Sequence, residues 1–124
     1  MSAADQRMAF LSIENDTGRK VTKVADFGLM TLSKRSQGGY GDREDKTQTI
    51  TPAAAAAFWS AFPRILPLRA GNQDQLDGAS WDAKFYDGET IRTVKGFINV
   101  DSHVGTPPDS DSYNDIVKLF DLLA

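Results

Sequence analysis

A chain of 124 residues, 40% of them hydrophobic and 25% charged, has the size and make-up of one globular domain, 1–124, able to bury roughly two thirds of the surface its unfolded form exposes. The absence of cysteine excludes disulfides, thiolate nucleophiles and cysteine-ligated metals, and no apolar run approaches the roughly 18 residues a membrane span requires. The formal net charge of −3 divides unevenly, because residues 70–124 carry ten acids against four bases while residues 1–69 carry seven acids against ten bases. That balance argues against broad nucleic-acid binding, which needs a continuous basic face, and allows a basic protein partner.

Residues 1–7 lack a basic start followed by an apolar stretch, so no secretory signal is expected and a bacterial-type cytoplasm is the expected compartment. Residues 7–14 alternate weakly, with Met8, Phe10 and Ser12 set against Ala9, Leu11 and Ile13, which suits a strand partly covered on both faces; a short helix is the competitor. Asn15-Asp16-Thr17-Gly18 reads as a turn. Residues 19–34, with Val21, Val24, Phe27, Leu29, Met30 and Leu32, read as one long strand in which Gly28 marks a bulge. The glycine-rich residues 36–42 read as an exposed loop, followed by a short strand over 46–50.

Thr51 then caps a helix that has Pro52 at its first position, where the missing amide proton costs nothing. Phe58, Phe62 and Ile65 share one face, and Pro63 ends the regular helix near Phe62. Residues 67–75 are a connection and Leu76-Asp77-Gly78 a turn. Residues 80–86 place Trp81, Ala83 and Phe85 on one face, and residues 90–100 set Val94, Ile98 and Val100 against Ile91 and Phe97. Asp87-Gly88 between these runs is the strongest hairpin signal in the chain, with a loop of two or three residues. Asp109-Ser110-Asp111 opens a last helix whose apolar face holds Tyr113, Ile116, Val117, Phe120 and Leu123; acids at a helix start complement its dipole. The order β-β-β-α-β-β-α predicts an α+β two-layer sandwich, a mainly antiparallel sheet of about five strands with both helices on one face.

No motif supplies catalytic chemistry. Asp16-Thr17-Gly18 matches the tripeptide of retroviral-type aspartic proteases, yet those carboxylates need a shielded apolar site, and here Glu14, Asn15, Arg19 and Lys20 surround it. Gly38-Gly39-Tyr40-Gly41 has no following Lys-Ser or Lys-Thr and reads as a flexible loop with Tyr40 as a contact residue at its tip. His103, the only histidine, sits in Asp101-Ser102-His103, but residues so close on one loop rarely point at one another as a triad requires. Asp101, Asp109, Asp111 and Asp115 miss the calcium-loop pattern, and Trp59 and Trp81 read as core. No cofactor or metal is expected.

Residues 76–81 (Leu-Asp-Gly-Ala-Ser-Trp), the Asp87-Gly88 hairpin, Gly96, Pro107-Pro108 and the helix over 113–123 make the chain look like small bacterial proteins in which a tryptophan strand, a DG turn, a glycine-bearing strand, a proline and a closing helix recur. Some of these resemble immunity proteins of contact-dependent toxin systems. Residues 34–41, ahead of a strand and a Thr-Pro helix, are similar to the emfourin type of metalloprotease inhibitor, although that pattern is lost beyond Ile65. These resemblances imply a non-catalytic binder that neutralises a toxin or enzyme. An acidic surface would steer a basic partner such as a nuclease, with Tyr40, Asp101, His103, Asp109, Asp111 and Asp115 as contact residues. Two alternatives stand beside it: a phage or mobile-element protein that blocks a host defence complex by imitating nucleic-acid phosphates, and a small hydrolase using His103.

Overall fold

The computed structural model describes residues 6–14, 18–38, 44–70, 79–98 and 112–124. Six strands, β1 (Met8–Glu14), β2 (Lys20–Asp26), β3 (Thr31–Gln37), β4 (Glu44–Thr49), β5 (Ala79–Tyr86) and β6 (Ile91–Ile98), form one sheet in the order β4-β3-β2-β1-β5-β6. Every neighbouring pair is antiparallel. Helix α1 (Pro52–Ala61), continued by a 3-10 turn (Phe62–Ile65), and helix α2 (Tyr113–Asp121) supply the second layer. The α+β two-layer sandwich is present, with six strands where the sequence predicts about five.

The sixth strand comes from the segment 19–34, which folds back on itself instead of running as one strand. The Asp26 carboxylate accepts the N–H groups of Gly28 (2.9 Å) and Leu29 (3.0 Å), a turn that an aspartate can form from its own side chain. Met30 completes the reversal at φ 55°, and its carbonyl accepts the N–H of Ile50 at 2.7 Å. Gly28 therefore belongs to a hairpin turn, not a bulge. The ladder of β3 also continues through Ser36 and Gln37, the start of the expected loop.

The expected start of α1 is observed: Thr51 Oγ1 accepts the Ala54 N–H at 3.1 Å with Pro52 in the first turn, and the regular helix gives way to the 3-10 turn at Phe62. Phe58 projects from α1 into the centre of the core. Its ring centroid lies 5.2 Å from Phe27, 4.9 Å from Trp59, 5.8 Å from Phe120 and 6.3 Å from Phe85, in tilted and edge-on geometries that suit aromatic quadrupoles. Trp81 packs on Tyr113 at 5.6 Å and fixes the start of α2, which buries Ile116, Leu119 and Phe120. The described part of α2 begins at Tyr113 behind Ser112; Asp109 and Asp111 lie outside the described residues.

Coverage by the helices is uneven. Among the described residues, β1 contributes Ala9 and Leu11 to the core and β5 contributes Trp81, Ala83 and Phe85, whereas β3 contributes Leu32 alone and all six residues of β4 are exposed. The helices cover the centre of the sheet and leave β4 exposed on the same side, while Leu32 and Ser36 of β3 are still buried.

Candidate functional site

Of the contact residues that the sequence suggests, Asp115 is described, while Tyr40, Asp101, His103, Asp109 and Asp111 lie outside the described residues. Asp115 stands in the first turn of α2 with Oδ2 3.6 Å from Nη2 of Arg69, both side chains about half exposed. A second tie lies beside it: the Arg69 N–H donates to Ser112 Oγ at 2.8 Å, and the Ser112 N–H donates to the Arg69 carbonyl at 3.1 Å. Ser112 is fully buried. In this setting Asp115 helps to pin the segment after the 3-10 turn to the start of α2.

The register brings together two surfaces that no local motif marks. The first is the face of the sheet opposite the helices. There Met8 lies directly across from Tyr86, and Tyr86 from Ile91, while Val24 and Phe10 form the adjacent row. Met8 is 41% and Ile91 64% exposed, and Phe10, Val24 and Tyr86 are partly exposed. Asp26, Lys84 and Thr93 border this apolar strip, since they stand opposite Met8, Phe10 and Lys84 respectively.

The hairpin beside the strip is tightly held. Tyr86 Oη donates to the Gly88 carbonyl at 3.0 Å, and Gly88 has the positive φ, 101°, that the turn demands. Asp87 Oδ1 accepts the N–H groups of Thr90 (2.9 Å) and Glu89 (3.0 Å), and its Oδ2 accepts from Nη1 of Arg92 at 2.6 Å. The Thr90 N–H, followed by the Arg92 guanidinium and the Glu89 N–H, lowers the Asp87 carboxyl to about 2. Arg92 in turn reaches over the Phe62 ring, 5.8 Å from its centroid, which couples the hairpin to the core.

The second surface is the helix-side face of the β3–β4 wing. Lys23 of β2 lies directly across from Lys34 of β3, which lies directly across from Lys46 of β4. With Leu32, Thr47, Gln48 and Ala124 they line a groove of about 530 Å³. Gln48 Nε2 donates to the Leu123 carbonyl at 3.0 Å and so ties β4 to the end of the last helix. Lys46 Nζ is 3.0 Å from Glu44 Oε1, and that bond, with the charges of Lys46, Lys34 and Arg19, holds the Glu44 carboxyl below its ordinary range. Among the described residues Lys23 and Lys34 form no ion pair.

The alternation of residues 90–100 sets Ile91 on the side away from Val94, but its place in one row with Tyr86 and Met8, like the lysine row, is set only by register. Among the described residues no three His, Cys, Asp or Glu side chains come together as a metal site, and no helix is long and apolar enough to cross a membrane. No protein-family model matches the chain, and no curated protein matches it.

Proposed function

We propose that this chain is a non-catalytic protein-binding module that neutralises a partner protein, as an immunity protein or enzyme inhibitor does. The observation that carries this reading is the apolar strip Met8–Tyr86–Ile91, backed by Phe10 and Val24, on a sheet face that no described helix covers. Scattered exposed apolar side chains need no explanation, whereas a contiguous strip rimmed by polar groups is the pattern of a protein contact. Tyrosine and methionine are enriched in such contacts, and a tyrosine already fixed by its bond to Gly88 loses little freedom on binding. The acidic excess of residues 70–124 supports steering of a basic partner, as positive and negative surfaces speed encounter.

The test is photocrosslinking in the organism that encodes the chain, with a photoreactive side chain placed at position 91 or 8 and, as the control, at the exposed position 57 on α1. A discrete adduct from positions 91 and 8, absent from position 57 and lost when Tyr86→Asp is added, is the expected result. An adduct from position 57 alone moves the interface to the helical layer and removes the reading's support. Added salt should slow association far more than it speeds dissociation if charge acts by steering.

A further inference from the structure

The lysine row across β2, β3 and β4 is costly to the scaffold, since like charges directly opposite one another in a sheet repel. Lysine on an edge strand has an ordinary purpose, because it blocks pairing with another chain, and this accounts for Lys46 on β4. It does not account for Lys23, two strands inward and partly buried where the helical layer ends. Glu44 pairs with Lys46 at the outer margin, and no acid among the described residues pairs with Lys34 or Lys23. One carboxylate, Glu44, thus stands against three lysines, and the row keeps an excess of positive charge.

We propose that the groove formed by Lys23, Lys34, Lys46, Leu32 and Gln48 binds a small oligophosphate, the phosphate chain lying across the three strands. Adjacent strands lie about 4.8 Å apart, so the three lysines spread positive charge along a line of roughly 10 Å, suited to a chain of linked phosphates and longer than one phosphate. Lysine binds phosphate as a point charge on a flexible stem, so the row adapts to the spacing of the anion. The groove, about 530 Å³ and open to solvent on one side, has room for such a chain. Leu32 gives the groove an apolar element, and the Gln48 bond to the Leu123 carbonyl fixes the end near α2. This site is independent of the partner-binding strip, which lies on the opposite face of the sheet.

Calorimetric and NMR titration of the full chain with tripolyphosphate tests the proposal. Binding is expected to shift the amide resonances around Lys23, Lys34, Lys46 and Leu32, and to weaken by about tenfold in Lys34→Met, the scale of one charge-assisted hydrogen bond. Lys46→Met should weaken it to a similar degree, while Lys118→Met, on the exposed side of α2, should leave it unchanged. Orthophosphate should bind at least tenfold more weakly than tripolyphosphate. Adding a nucleoside triphosphate separates the sources of the same chemistry: equal affinity assigns the site to the phosphate chain alone, and tighter binding adds a contact to the nucleoside. Citrate binding as tightly as tripolyphosphate, or an equal loss in Lys118→Met, would overturn the proposal.

Discussion

The centre of the sheet and its β3–β4 wing share one antiparallel ladder and differ in what their side chains do. At the centre, β1 and β5 feed Ala9, Leu11, Trp81, Ala83 and Phe85 into a layer closed by Phe58 and Phe120. On the wing, β4 has six exposed polar residues, and one of its helix-side rows is lysine, Lys34 opposite Lys46. The same hydrogen bonds therefore serve two ends: packed strands set stability, and the wing extends the sheet to carry charge. Backbone pairing alone does not reveal which strands hold a fold together.

The largest effect should come from Phe58→Ala, because this fully buried ring touches four other rings. Removing it is expected to cost about 3–5 kcal/mol in urea denaturation. A loss under about 1 kcal/mol would show that the stabilising centre lies elsewhere and would dissolve the contrast. A second substitution asks whether the approach to the wing is also tightly built. Gly38 has φ +92°, and a Cβ there would stand 2.5 Å from the Gly18 carbonyl oxygen. Gly38→Ala should cost about 1–3 kcal/mol, more than Gly18→Ala, where φ is +85° but a Cβ meets nothing within 4 Å. Equal losses in the two variants would mean that backbone angle, not the close approach, sets the cost.

Local chemistry made the central elements readable. Thr51-Pro52 announces α1, Asp87-Gly88 announces the last hairpin, and Trp81, Ala83 and Phe85 fall on the buried face as their alternation requires. The first reversal was hidden because Phe27, Leu29 and Met30 fill it with residues of strand type; the Asp26 side chain, two residues before Gly28, makes the turn. Met30 at φ 55° is a conformation that sequence preference argues against. The two surfaces were less legible still, since Met8, Tyr86 and Ile91, or Lys23, Lys34 and Lys46, fall into one row only through non-local pairing. Five of the six contact residues suggested by the sequence lie outside the described residues.

A pH titration sharpens the view of the hairpin beside the apolar strip. The Asp87 carboxyl is held at about 2, below the ordinary 3.8, so its stabilising contribution is complete above the ordinary value and is lost as pH falls toward about 2. The carboxyl carbon resonance of Asp87 should show this low midpoint. Arg92→Gln should raise the midpoint while leaving it below 3.8, because the Thr90 N–H is the first cause and remains. A midpoint at 3.8 in the unaltered chain would mean that the hairpin is not held in this way, and Tyr86 would lose its claim to be preorganised.

The smallest expected effect bears directly on what the wing is for. If Lys34 is only the middle of three repelling charges, Lys34→Met should stabilise the chain by about 0.2–1 kcal/mol at low ionic strength, and the gain should fade as salt screens the repulsion. Such a gain, paired with weaker tripolyphosphate binding in the same variant, separates a residue kept for a ligand from one kept for the fold. A loss of stability at every salt concentration would instead make the aliphatic stem of Lys34 a packing element beside Leu32. The wing would then belong to the core that the helices begin, and the division between packed centre and charged margin would disappear.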